Sequence, residues 1–158
     1  MSARSSRKAR GDRTTRASSK VTGLTLRWVG GPGGHLSLLD QTLLPARVKY
    51  LRIRELPVVI DAIRRLAVRG APAIGVAAAY GLVLGLREDA PATAAAFRRS
   101  LARVKKRLAA SRPTAVNLFW SLDRMAARAG ALAGGEYSFR ELLRGLLDEA
   151  CEIHEEDQ

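Results

Sequence analysis

Two arginines, each set just ahead of a proline and an apolar stretch, are the residues whose type and spacing could do chemistry. Arg69 opens Arg69-Gly70-Ala71-Pro72-Ala73-Ile74-Gly75, and Arg112 lies in Ser111-Arg112-Pro113-Thr114-Ala115-Val116-Asn117-Leu118. Pro72 fits the first turn of a helix, where its missing N–H costs nothing and its fixed φ is already helical. Free backbone N–H groups at Gly70 and Ala71, with the positive end of the helix dipole, favour an anion there, and the Arg69 guanidinium adds a two-pronged contact. That combination is a phosphate cradle. The plainer alternative is a turn into a small-residue core helix with Arg69 solvated, and local physics alone favours the plainer one. At the second start, Thr114 occupies the expected cap position ahead of an apolar helix through Leu118, Leu122 and Met125. Asn117 sits one turn in; if buried it needs partners, either as a polar bridge between helices or as the group that orients Arg112.

The elements that must position these arginines follow from periodicity. Residues 70–86 carry no charge and are mostly small, which reads as a buried central helix. Within it Ala73, Ala77, Gly81 and Gly85 recur at i+4, a strip along which another backbone is expected to come close. Residues 24–29 read as a strand, 30–34 as a turn and 35–40 as a returning strand, with a third strand near 48–53. His35, at a strand start, marks a turn edge rather than a ligand. From Pro57 the period changes. Val59, Ile63 and Leu66 share one helical face and Asp61, Arg64 and Arg65 the other, for a helix ending at Gly70. Glu88-Asp89-Ala90-Pro91 reads as the start signal for the next helix, in which Phe97, Leu101, Val104 and Leu108 face inward. There Arg98, Arg99, Arg103, Lys105, Lys106 and Arg107 form a solvated face. Ser138-Phe139-Arg140-Glu141 is a capping box, followed by a buried row of Leu142, Leu143, Leu146, Leu147, Ala150 and Ile153. The expected fold is mostly α with a small antiparallel hairpin or sheet at the amino-terminal end, an α+β class.

Composition bounds the rest. The chain has 158 residues, 47% of them hydrophobic, which suffices for one core. The net charge of +12 is uneven: residues 1–20 hold seven Arg or Lys against one Asp and no large apolar side chain. Residues 1–22 are therefore expected to be a disordered basic tail and 23–158 the folded domain. A nucleic-acid arm and an organelle-targeting segment compete for the tail, but aromatics are absent for the first and an amphipathic face for the second. The uncharged run falls short of a membrane span, so a cytoplasmic protein is expected. With one cysteine, Cys151, and two distant histidines, His35 and His154, neither a disulfide nor a metal site is expected. Glu149 and Glu152 beside Cys151 are expected to raise its pKa, leaving an inert thiol. The last helix reaches Gln158 without a Gly or Pro stop signal, as though it continued.

Three segments together resemble one family: Leu38-Leu39-Asp40-Gln41-Thr42-Leu43-Leu44-Pro45, then Val68-Arg69-Gly70-Ala71-Pro72-Ala73-Ile74-Gly75 running on to Tyr80-Gly81, then Ser111 to Leu118 as quoted above. From about Leu24 onward the chain resembles the amino-terminal part of the methylthioribose-1-phosphate isomerases, relatives of the eukaryotic initiation factor 2B α, β and δ subunits. The resemblance implies a helical amino-terminal domain that contributes Arg69, Gly70, Ala71 and Arg112 to substrate binding. It implies an aldose–ketose isomerase converting 5-methylthioribose 1-phosphate to 5-methylthioribulose 1-phosphate in methionine salvage, homodimeric when complete, with no cofactor or metal. The family's catalytic cysteine and aspartate belong to a Rossmann-like carboxy-terminal domain, and no segment here matches their motifs. Cys151 does not take that role, so this chain alone is expected to be inactive. A non-catalytic regulatory or assembly module, like the initiation-factor relatives, and a ribose 1,5-bisphosphate isomerase are the alternatives. A nucleic-acid partner is not expected.

Overall fold

The computed structural model describes residues 25–157. The first strand begins at its edge, and Leu24 and the basic tail lie outside the described residues. Strands β1 (Leu26–Val29), β2 (His35–Leu39) and β3 (Tyr50–Ile53) form an antiparallel sheet in chain order. Their alternation decides which face is dry: Leu26 pairs Leu38 and Trp28 pairs Leu36, while Leu36 and Leu38 pair Ile53 and Leu51 on the other side. Arg27, Ser37 and Arg52 form the corresponding row on the outer face. A three-residue 3₁₀ turn, Gln41–Leu43, joins β2 to the loop before β3, and the Asp40 side chain caps it.

Five helices follow: α1 (Leu56–Arg64), α2 (Ala71–Asp89), α3 (Ala94–Ser111), α4 (Val116–Ala133) and α5 (Phe139–Glu156). Helix α2 is the centre, packed against all four other helices and β1. Every residue from Ile74 to Leu86 is buried, which only a helix surrounded on all sides can achieve. Arg87, at its far end, closes the apolar run by donating to the Gly34 carbonyl at 2.7 Å and the Pro32 carbonyl at 3.0 Å. One guanidinium thus fastens the hairpin turn to the bundle, and Trp28 stacks on Tyr80 at 5.5 Å beneath it.

The structure corrects three expectations about the core. The strip of Ala73, Ala77, Gly81 and Gly85 does not receive a backbone: Gly81 faces Val59 and Leu108 side chains, and Gly85 faces Val104 and Leu56. The close backbone approach is on the opposite face, at Gly75, where an added Cβ would sit 2.8 Å from the Asn117 carbonyl oxygen and 2.6 Å from Ser121 Oγ. Helix α1 ends at Arg64, not Gly70, and Leu66 has turned out at φ 61°, exposed instead of on the buried face. Residues 88–91 do not start α3. Glu88 and Asp89 finish α2, Ala90 caps it in a left-handed conformation, and Thr93 begins α3 by accepting from the Ala96 amide at 3.0 Å. The basic face of α3 is exposed at Arg98, Arg99, Arg103, Lys106 and Arg107, with Lys105 paired to Asp123 at 2.7 Å. The capping box at Ser138 and the buried row of α5 are as expected.

Candidate functional site

Helices α2 and α4 start side by side because Gly75 carries no side chain to hold them apart. Their first turns open into one groove of about 810 Å³ lined by Leu66, Arg69, Gly70, Ala71, Ile74, Arg112, Thr114, Ala115, Val116 and Asn117. Arg69, Gly70, Ala71 and Arg112 all border this hollow. Arg69, Gly70 and Ala71 are exposed, and Arg112 is half-buried at the end of α3.

Gly70 is the N-cap of α2, at φ 89° and ψ 131°. Nothing lies within 4 Å of a Cβ built there, so the requirement for glycine is conformational, not spatial. Pro72 occupies the first turn, and the first hydrogen bond of the helix runs from the Ile74 amide to the Gly70 carbonyl at 3.0 Å. Helix α4 starts differently from the expectation. Thr114 is not its cap; the Ala115 amide bonds the Arg112 carbonyl at 3.1 Å, closing a turn, and Ala115 becomes the N-cap.

Neither of these two N-termini has a side-chain acceptor. The other three do. The Leu56 amide of α1 donates to Glu88 Oε1 at 2.6 Å, Thr93 caps α3, and the Ser138–Glu141 box caps α5. The amides ahead of the first intrahelical bond need an acceptor from somewhere. In α2 and α4 these first turns, the positive ends of the helix dipoles, line the same groove as Arg69 and Arg112. The groove's other walls mix apolar Leu66, Ile74, Ala115 and Val116 with polar Thr114 and Asn117. Among the described residues, no carboxylate, imidazole or thiol lines it.

Asn117 is half-buried on the wall that this groove shares with a smaller hollow reaching Trp120, Glu156 and Asp157. Its side chain makes no hydrogen bond with another described residue, so it neither bridges helices nor holds Arg112 in this structure. Sequence reasoning missed Leu66 at the groove, because nothing in Leu66-Ala67-Val68 marks a positive φ. Cys151 does not line the groove. Its thiol is pushed up chiefly by burial and then by the charges of Asp148 and Glu155, with the Tyr80 hydroxyl pulling the other way; Glu149 and Glu152 are not the cause. His154 accepts or donates at 2.9 Å with the same Tyr80 hydroxyl, and burial lowers its pKa. Among the described residues no cluster could hold a metal ion, and no helix is long and apolar enough to cross a membrane.

The sequence is 50% identical over 123 residues to 5-deoxyribose 1-phosphate isomerase of Bacillus cereus, a match covering 78% of this chain and 35% of that protein. Two solved structures share the fold. One is 5-methylthioribose 1-phosphate isomerase from Pyrococcus horikoshii OT3, with TM-score 0.76, 32% identity, and coverage of 87% of this chain and 38% of that one. The other is the translation initiation factor eIF-2B subunit delta from A. fulgidus, with TM-score 0.72, 38% identity, and coverage of 84% and 36%. The chain spans about a third of the length of the curated relatives it matches. Residues 67–158, more than half of the chain and both helix starts of the groove, match the initiation factor 2 subunit family, and the chain belongs to that family.

Proposed function

We propose that this chain is the phosphate-anchoring domain of a sugar-phosphate isomerase. The observation that carries the reading is the pairing of two uncapped helix starts with Arg69 and Arg112 around one groove. A phosphoryl group is the ligand such a site is built for, because it accepts several N–H bonds at once and is planar-matched by guanidinium. Beyond Arg69 and Arg112 the lining carries no charged side chain, which favours a sugar whose far end lacks charge, such as the 5-deoxy or 5-methylthio pentose 1-phosphates named for the relatives. An aldose–ketose conversion moves a proton between C2 and C1. The groove's own lining supplies no group for this, so its role is to fix the phosphate and hold the carbon skeleton for acid–base groups outside the lining. On this reading the complete enzyme works in methionine salvage, in the cytoplasm and as a homodimer.

The likeness to the initiation-factor delta subunit supports a second reading, a non-catalytic assembly module. Ligand binding separates the two. Calorimetric titration of the chain with 5-methylthioribose 1-phosphate, 5-deoxyribose 1-phosphate and inorganic phosphate is expected to show binding by all three, weakest for phosphate. A bound ligand also raises the thermal midpoint. Arg112→Ala removes a charged hydrogen-bond donor worth about 1.5–3 kcal/mol, roughly 10- to 100-fold in affinity, without lowering stability. Absence of binding by any sugar phosphate supports the assembly module instead.

A further inference from the structure

The segment Leu38 to Pro45, prominent in the sequence, contributes no side chain to the groove. Its contacts give it another task. Asp40 is 4% exposed, and its carboxylate divides its acceptors. Oδ1 takes the Thr42 amide at 3.0 Å and the Thr42 hydroxyl at 2.5 Å, while Oδ2 takes Arg65 Nη1 at 3.0 Å. Arg65 is held from a second side by Asp61 at 3.0 Å. Next to this, the Gln41 amide donates to the Ala67 carbonyl at 2.9 Å. The side-chain and backbone links clasp the two ends of a tripeptide, Arg65-Leu66-Ala67, whose middle residue sits at φ 61°. A leucine there is strained unless its surroundings enforce it. Two residues later the chain reaches Arg69, then Gly70 at φ 89°.

We infer that Asp40 and Arg65 are positioning residues for the anion groove: their ion pair, with the Gln41–Ala67 backbone bond, locks the Leu66 turn and so sets where Arg69 and the Gly70 and Ala71 amides stand. The inference rests on the phosphate-anchoring reading above. Asp40 is suited to the task. Burial alone would raise its pKa, but the hydrogen bonds from Thr42 and Arg65 outweigh that and hold it below the ordinary carboxylate value, so it stays charged wherever the protein is folded at neutral pH.

The test uses the full chain and inorganic phosphate as the probe, with the Gly70 and Ala71 amide resonances followed by NMR. Asp40→Asn and Arg65→Gln are each expected to weaken phosphate about tenfold, the scale of penalty for a modestly misplaced binding group. The double variant is expected to be no weaker than either single, because both break one link. Thr42→Ser, which keeps the hydroxyl, is expected to retain wild-type affinity. Leu146→Ala, a core change remote from the loop, lowers stability and is expected to leave affinity unchanged. Arg65 has a 38% exposed side chain, so Arg65→Gln gives a folded readout if Asp40→Asn does not. Wild-type affinity in Arg65→Gln, with phosphate still bound by the wild type, overturns the inference and leaves the anchoring reading intact. No phosphate shift in the wild-type chain overturns both.

Discussion

The two ends of helix α4 are built by opposite rules. At its far end, α5 begins with the Ser138–Glu141 box, where each residue's side chain accepts from the other's backbone amide. At its near end, α4 itself begins on Ala115 beside the equally bare Gly70 of α2. A helix start is cheap to cap: one Ser, Thr, Asp or Asn stabilises it by about 1 kcal/mol. Adjacent helices that forgo this at one groove, between two arginines, are the feature on which the proposed anion site rests. The difference teaches that stability and binding compete for the same N–H groups, and that the sites of competition can be found by asking which caps are missing.

The comparison breaks most sharply if a cap is put where none stands. Ala115, at φ −81° and ψ 98°, already has the backbone of an N-cap. Ala115→Asp is expected to stabilise the chain by about 1 kcal/mol and to weaken phosphate binding roughly 10- to 100-fold, since its carboxylate takes the amides and repels the anion. Chemical denaturation and calorimetry on the same preparation give both numbers. The matched control is Ser138→Ala, which costs about 1 kcal/mol and leaves affinity unchanged. If Ala115→Asp binds phosphate as well as wild type, the donors at α4 are not part of the site.

The second prediction concerns what brings the two bare starts together. Gly75→Ala puts a methyl group against the Asn117 carbonyl and Ser121 Oγ, forcing α4 away from α2. Overpacking of this kind costs about 1–3 kcal/mol, and it also widens the groove, so phosphate affinity falls with stability. That coupling is the diagnostic. A Gly75→Ala chain that is destabilised while binding phosphate normally would mean that the helix spacing does not set the site.

Much of this was legible in the sequence, and the exceptions share a cause. The alternating apolar stretches and the Gly-Pro turn named the sheet's strands, and the Ser138 box named the start of α5. An arginine ahead of a proline and an apolar run named both helix starts at the groove. What could not be read was decided by contacts between distant segments. The end of α1 carries no glycine or proline, because the left-handed turn at Leu66 is enforced from outside by Asp40 and Gln41. Thr114 looked like a cap, yet the turn closed by the Ala115 amide and the Arg112 carbonyl moves the helix start one residue on. Several small residues of α2 could have admitted a neighbouring backbone, and only the arrangement of α4 selects Gly75.

The smallest effect at neutral pH separates the two ends by acid. Asp40 braces the groove end, and Asp89, held by Ser100 and Arg103, braces the other end of α2. For both, burial raises the pKa, but the hydrogen bonds they accept outweigh it and leave the folded value below the ordinary 3.8. A carboxyl with a depressed folded pKa binds its proton more readily in the unfolded chain. Its contribution is therefore complete above about pH 3.8 and is lost as pH falls through the lower, folded value. The stability gap between wild type and Asp40→Asn is thus expected to be constant from pH 7 to about 5 and to close only below 3.8, and likewise for Asp89→Asn. Denaturation midpoints across that range check it. A gap that closes near pH 5 for Asp40→Asn alone would mean that the groove end is held less tightly than the capped end, and the clasp on the Leu66 turn would lose its electrostatic half.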